Sequence, residues 1–154
     1  MTERYAVRMR KAVHVFCAGH FITLTDTLCE PVHGHNWTAA AEVEGAPDAH
    51  GMVIDFILLR DQLAAITARL DHRMLLPTEN RFLDVTTAAV APGREEVTVR
   101  FGDRRWVFPA DECVLLPVAN TTAEWIARWI GSQLLDAFAE RGQPIRGALR
   151  IEID

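Results

Sequence analysis

The segment His33-Gly34-His35, with the run from Asn36 to Glu44 behind it, leaves the backbone little choice. Side chains on a β-strand alternate between faces, so a His-x-His pair there presents two imidazoles on one side. On a helix the same spacing would turn them about 200° apart. The following Trp37-Thr-Ala-Ala-Ala-Glu-Val-Glu44 suits a strand, which sets the two rings facing one way. A third imidazole, His20, ends the preceding apolar run from Val13 to Gly19. Three histidines from two neighbouring strands supply three nitrogens, the ligand set of a catalytic zinc with one coordination position left open. Read from its residues alone, the chain carries a three-histidine metal site with a thiol, Cys29, close by in sequence.

The chain that must carry this site has 154 residues, 49% of them hydrophobic, which suffices for one domain with one core. Its formal net charge of −5 argues against non-specific nucleic-acid binding, which depends on Lys and Arg displacing counterions. No apolar stretch approaches the ~20 residues of a membrane span. The charged N-terminus, Met1 to Lys11, has no apolar signal-peptide core behind it. Three cysteines without regular spacing do not form a disulfide framework, so the expected compartment is the reducing cytoplasm.

Residues 5–18 read as extended, 21–34 as a loop rich in Thr with Pro31, and 35–44 as a second strand closed by Gly45-Ala-Pro47-Asp48. Asp55 can cap an amphipathic helix over 56–70, where Ile57, Leu58, Leu63, Ile66 and Leu70 recur at helical spacing. Asp71 to Pro77 breaks that period. From Asp84 to Pro109 short β-like runs appear, with a hairpin expected around Gly102-Asp103. Thr121-Thr122-Ala123-Glu124 has the form of a capping box ahead of a second helix that runs to about Glu140 and stops at Gly142 and Pro144. Leu149, Ile151 and Ile153 alternate as a final strand. This order predicts an α+β fold with an antiparallel sheet and helices on one face.

Taken in order, His20, Cys29-x-x-x-His33-Gly34-His35, Gly51-Met-Val-Ile-Asp55-Phe56, Leu70-Asp71-His72 and Thr122-Ala-Glu124 resemble the 6-pyruvoyl/6-carboxytetrahydropterin synthases. The likeness spans residues 13–76 and 119–140, with 84–112 as a longer insertion in a single domain over 1–154. The resemblance implies a T-fold, an antiparallel sheet with two helices packed on one face, assembled into a trimer or a homohexamer built as a dimer of trimers. It implies that His20, His33 and His35 hold Zn2+, that Cys29 is the catalytic thiol, and that Asp71 and His72 handle protons with it. Thr121 and Thr122 match the turn that contacts the pterin. The implied activity is that of a pterin lyase acting on 7,8-dihydroneopterin triphosphate. Its product would be 6-carboxytetrahydropterin, of the queuosine and deazapurine pathway type. The three-residue gap between Cys29 and the His-Gly-His triplet resembles the carboxy-forming branch. Glu30 resembles instead a branch that cleaves the dihydroneopterin side chain towards folate precursors, so Cys29 and Glu30 both stand as candidates for catalysis and a dual activity is open. A pyruvoyl-forming enzyme, a non-catalytic pterin-binding homologue and a different three-histidine zinc enzyme that hydrolyses an ester or phosphate are the other readings.

The same residues have plainer roles available. Cys29 could be a buried, inert thiol, as Cys17 and Cys113 are expected to be. His72 could complement a helix dipole, and Glu124 belongs to a capping box whatever the ligand. The Arg104-Arg105 pair reads as a solvated strand end. The family's final strand closes with a glutamate that grips the pterin, in phase with its apolar residues. Here that phase falls after Asp154, and Glu152 lies on the other face.

Overall fold

Hydrophobic alternation decides how this chain is layered, and the strand that begins with the two histidines carries most of it. The computed structural model describes residues 3–154. In chain order these form β1 (Tyr5–Met9), β2 (Val15–His20), β3 (His33–Gly45), α1 (Phe56–Ala68), β4 (Arg73–Pro77), β5 (Asp84–Ala91), β6 (Arg94–Phe101), β7 (Arg104–Pro109), β8 (Cys113–Leu116), α2 (Ala123–Glu140) and β9 (Ala148–Ile153). They divide into two compact units, one made of the stretches up to Phe16, Trp37–Arg69 and Ala127–Asp154, the other of Cys17–Asn36 and Leu70–Ile126.

In the first unit β3 pairs antiparallel with β1 on one side and β9 on the other. The register aligns Met9 with Ala41 and Ile151, and Val7 with Val43 and Leu149, so one face is apolar across all three strands. Ala39, Ala41 and Val43 on that face are buried. α2 lies against it, where a Cβ on Gly131 would stand 3.3 Å from Ile151. α1 joins the same layer at its C-terminal end: Arg69 bonds Gln133 at 2.7 Å and lies over the Trp129 ring. The opposite face is charged, with Arg8 bonded to Glu152 at 2.5 Å and Arg10 to Asp154 at 3.2 Å. Glu152 therefore points away from the helix-covered face, as its phase requires.

Local signals account for the ends of these elements. Asp55 caps α1 by accepting from the Leu58 amide at 2.9 Å. α2 ends in the expected glycine, Gly142 at φ 70°, with the Gln143 amide returning to the Phe138 carbonyl at 3.0 Å. β9 enters past Gly147, whose Cβ, if present, would collide with the Glu44 carbonyl oxygen. Only a residue without a side chain fits so near another backbone. The extended stretch expected over 5–18 is interrupted by a 3-10 turn at Ala12–His14, and His14 is buried there with its Nε2 on the Arg60 carbonyl at 3.2 Å.

The second unit differs in pairing. β4 pairs parallel with β2 and with β8, strands that a reading by alternation passes over because their apolar runs are short and unbroken. Residues 84–109 form an antiparallel meander, β5–β6–β7, with the β6–β7 turn at Gly102 (φ 54°) as expected and β5 added to it. Phe21, Cys29, Met74, Leu76, Val97, Val99 and Phe101 make the core of this unit.

Candidate metal centre

His33 and His35 keep the phase of Trp37, Ala39, Ala41 and Val43 along β3, and His20 keeps that of Phe16 and Ala18 along β2. The stripe that is apolar where it packs becomes imidazole where it opens. The ring centroids of the three histidines stand 4.6, 5.2 and 5.0 Å apart, and one ring nitrogen from each lies within 4.8 Å of the other two. His20 is buried, whereas the His33 side chain is 38% exposed, so the cluster opens on one side.

Hydrogen bonding fixes which nitrogen two of the three rings offer. His20 Nδ1 lies 2.8 Å from the Thr121 carbonyl, and His33 Nδ1 lies 2.9 Å from that of Pro31. A carbonyl only accepts, so both Nδ1 atoms carry the proton and the neutral ring keeps its lone pair on Nε2. Burial, reinforced by the neighbouring imidazoles and opposed by the Thr121 bond, holds His20 below the usual imidazole range and keeps it neutral. Three imidazoles, two of them oriented by backbone carbonyls, fit a borderline-soft divalent ion such as zinc.

The support behind His20 is a polar network without a sequence signal. The buried Asn80 amide donates to Thr23 Oγ1 at 2.8 Å and to the Ala119 carbonyl at 2.7 Å. Asn120 donates to the Thr23 carbonyl at 2.9 Å and accepts from the Thr121 amide at 3.0 Å. Thr121 is fully buried and its hydroxyl donates to the Phe21 carbonyl at 3.0 Å. All of its polar groups thus have partners inside the unit. It is not the cap expected from the sequence either: the Thr122 carbonyl takes the Ile126 amide at 3.0 Å, and the Thr122 hydroxyl holds the Glu124 carboxyl below the usual carboxylate range.

Cys29 and Glu30 part company. The Cys29 side chain joins the apolar core of the unit, where burial pushes its thiol above the ordinary cysteine value, against the pull of Arg104 and with the push of Glu30. Glu30 stands beside the histidines, with Oε2 4.0 Å from His33 Nε2. Asp71 and His72 are bonded to each other, Oδ2 to Nδ1 at 2.9 Å. Asp71 also accepts from the Cys17 amide at 2.8 Å, and these two bonds hold its carboxyl below the usual range. His72 is held at φ 55° with its side chain 83% exposed. It lines a cleft of about 280 Å³ with Cys17, Gly19, Gly34 and Met74. Cys17 and Gly19 alternate with His20, and Gly34 with His33 and His35, so the Asp71–His72 pair opens on the face opposite the histidines. Cys17 is exposed rather than buried, because its position belongs to that outer phase. Cys113 is partly buried, and its thiol is pushed up to about 11 by burial and by Glu112 and Asp111.

The fold and the three-nitrogen cluster define an α+β chain with a candidate metal site. Residues 9–151 match the family described as 6-pyruvoyl tetrahydropterin synthase, and the chain belongs to that family. A Pyrococcus abyssi protein named "Putative 6-carboxy-5,6,7,8-tetrahydropterin synthase" is 30% identical over 132 residues, 85% of this chain and 76% of the relative. A Pyrococcus horikoshii protein of the same name is 30% identical over 139 residues, 88% of this chain and 80% of the relative. The fold is that of Plasmodium vivax 6-pyruvoyltetrahydropterin synthase, with a TM-score of 0.86 at 22% identity over 99% of this chain and 91% of the other. A variant of that enzyme, solved with alanine replacing a glutamate described as its catalytic residue, superposes with a TM-score of 0.86 at 21% identity, over the same shares of the two chains. The match is the T-fold, here with antiparallel pairing around β3 and in the β5–β6–β7 meander, and two helices. No helix among the described residues is long and apolar enough to cross a membrane.

Proposed function

We propose that this chain is a zinc-dependent pterin lyase that takes 7,8-dihydroneopterin triphosphate to 6-carboxytetrahydropterin, with Glu30 rather than Cys29 as the group that moves the proton. The observation that carries the assignment of the base is the placement of the Glu30 carboxylate 4.0 Å from His33 while the neighbouring thiol turns into the core. The catalytic glutamate named for the Plasmodium vivax enzyme, and the names of the Pyrococcus relatives, support it.

The three histidines would hold the ion, which when bound polarises the substrate's hydroxylated side chain as a Lewis acid. Glu30 Oε2 then accepts a proton from that side chain. Asp71 accepts the Nδ1 proton of His72, fixing the ring's tautomer so that Nε2 faces outward for the matching transfer. Because His72 opens on the other face of its own chain, the site is complete only where a second copy brings its Asp71–His72 pair to the first copy's histidines. This favours a trimer or a hexamer. Thr121 serves by holding His20, and the pterin contact in this turn falls to Thr122.

A second reading is favoured by the same observation: a carboxylate in place of a thiol suits cleavage of the dihydroneopterin side chain to a hydroxymethyl pterin. One assay tests both. Zinc-loaded protein is incubated with 7,8-dihydroneopterin triphosphate and the products are identified by mass spectrometry, for the natural chain and for Glu30→Gln and Cys29→Ser. The carboxy product with acetaldehyde is expected, with kcat lowered by about a hundredfold or more in Glu30→Gln and nearly unchanged in Cys29→Ser. Loss of turnover in Cys29→Ser with Glu30→Gln active would overturn the assignment of the base. A hydroxymethyl product would move the chain to the second reading.

A further inference from the structure

Arg104, at the start of β7, is tied to the loop that carries Glu30. Its Nη1 donates to the Cys29 carbonyl at 2.8 Å and its Nη2 to the Glu30 carbonyl at 3.5 Å. The guanidinium lies 4.6 Å over the Trp106 ring, which stacks on Phe21 at 4.8 Å. Phe21 follows His20 directly in the chain and shares the unit's core with Cys29 and with Val97, Val99 and Phe101 of β6. The arginine that the sequence presents as a solvated strand end therefore spans two consecutive carbonyls. It is braced on an aromatic pair.

The peptide between Cys29 and Glu30 carries their side chains to different surroundings, the thiol to the unit's core and the carboxylate to 4.0 Å from His33 Nε2. Holding the two carbonyls fixes the peptide between them and with it the choice of side chain. We propose that Arg104 is a positioning residue that keeps Glu30 turned to the histidine cluster and Cys29 turned into the core. The meander over 84–109 would then be part of the catalytic apparatus through this one side chain. The inference rests on the reading of Glu30 given above. Arginine suits the task because its planar fork reaches two acceptors and stacks at once, which a lysine cannot do.

The test uses the zinc-loaded full chain with Arg104→Lys, Arg104→Met and, as a control on the same strand, Arg105→Met. Alkylation by iodoacetamide is followed at each cysteine by peptide mass spectrometry, beside kcat and KM for the pterin triphosphate. In both Arg104 variants Cys29 should label about tenfold faster or more, as a charge-assisted restraint is lost, while Cys113 keeps its rate. kcat should fall with KM within about twofold, and Lys should recover part of it. Arg105→Met should match the natural chain. Cys29 labelling at the natural rate, a rise shared equally by Cys29 and Cys113, or faster labelling with kcat unchanged would each overturn the inference. Turnover intact in Glu30→Gln, with Cys29 still exposed by the Arg104 variants, would instead sink the role given to Glu30 and leave the clamp standing.

Discussion

The two faces of β2 and of the start of β3 make a useful contrast. On one, His20 and His33 are each pinned through Nδ1 to a backbone carbonyl, and the carbonyl behind His20 is itself fixed by Asn80, Asn120 and Thr23. On the other, the Asp71–His72 pair sits on an open cleft beside an exposed Cys17. The first face is organised before any ligand arrives, which suits holding an ion at low reorganisation cost. The second holds a bonded acid–imidazole pair whose imidazole is largely exposed. Side-chain alternation separates the two, so under the proposed function a single chain presents two partial sites rather than one whole one.

The largest effect should come from trying to join the faces between copies. Glu30→Gln and His72→Ala proteins, each inactive alone, should regain up to about a quarter of natural turnover when mixed and reassembled at random. No recovery in verified mixed oligomers would break the contrast, because both groups would then serve within one chain. A smaller effect is expected from loosening the organised face. Asn120→Ala removes two hydrogen bonds behind Thr121 and should weaken zinc binding by about tenfold while costing about 1–2 kcal/mol of stability. Unaltered affinity in a competition titration would mean that the carbonyl behind His20 needs no such support. The smallest effect sharpens the other face. The Asp71 carboxyl is held below its usual range, first by the Cys17 amide and then by His72. A depressed folded-state pKa contributes stability above the unfolded value, and this is lost as pH falls through the folded one. Asp71→Asn should therefore unfold at lower denaturant than the natural chain at pH 7, with the gap closing below about pH 4. A gap that does not change with pH would show that the carboxylate's charge contributes nothing.

The sequence displays the histidine cluster because its signal is periodic: two residues on one strand phase and a third at the end of an apolar run. Both helices were legible for the same reason, since α1 has Asp55 ahead of its apolar repeat and α2 has Gly142 behind it. β4 and β8 were not, because Met74-Leu-Leu76 and Val114-Leu-Leu116 are too short and too uniformly apolar to show an alternation. Thr121 and Thr122 are neighbours with the same chemistry, and only the tertiary bond from Thr121 to Phe21 tells which of them flanks the helix. Asn80, Thr23 and Asn120 meet from distant parts of the chain without any pattern that spacing could reveal. The opposed directions of Cys29 and Glu30 were not legible, because both lie in the loop between β2 and β3, where no period fixes which way a side chain points. Which of them turns inward depends on Arg104, 75 residues away from Cys29.

Gly147 carries a different lesson. It is exposed, it touches no functional group, and yet even a methyl there would collide with the carbonyl of Glu44. In a saturation mutagenesis map such a position reads as intolerant and invites assignment to a binding site. Its constancy would instead record a clearance of one backbone over another, at the threshold of the strand that completes the helix-covered sheet. Intolerance at a surface residue of this chain is evidence of chemistry only after clearance has been ruled out.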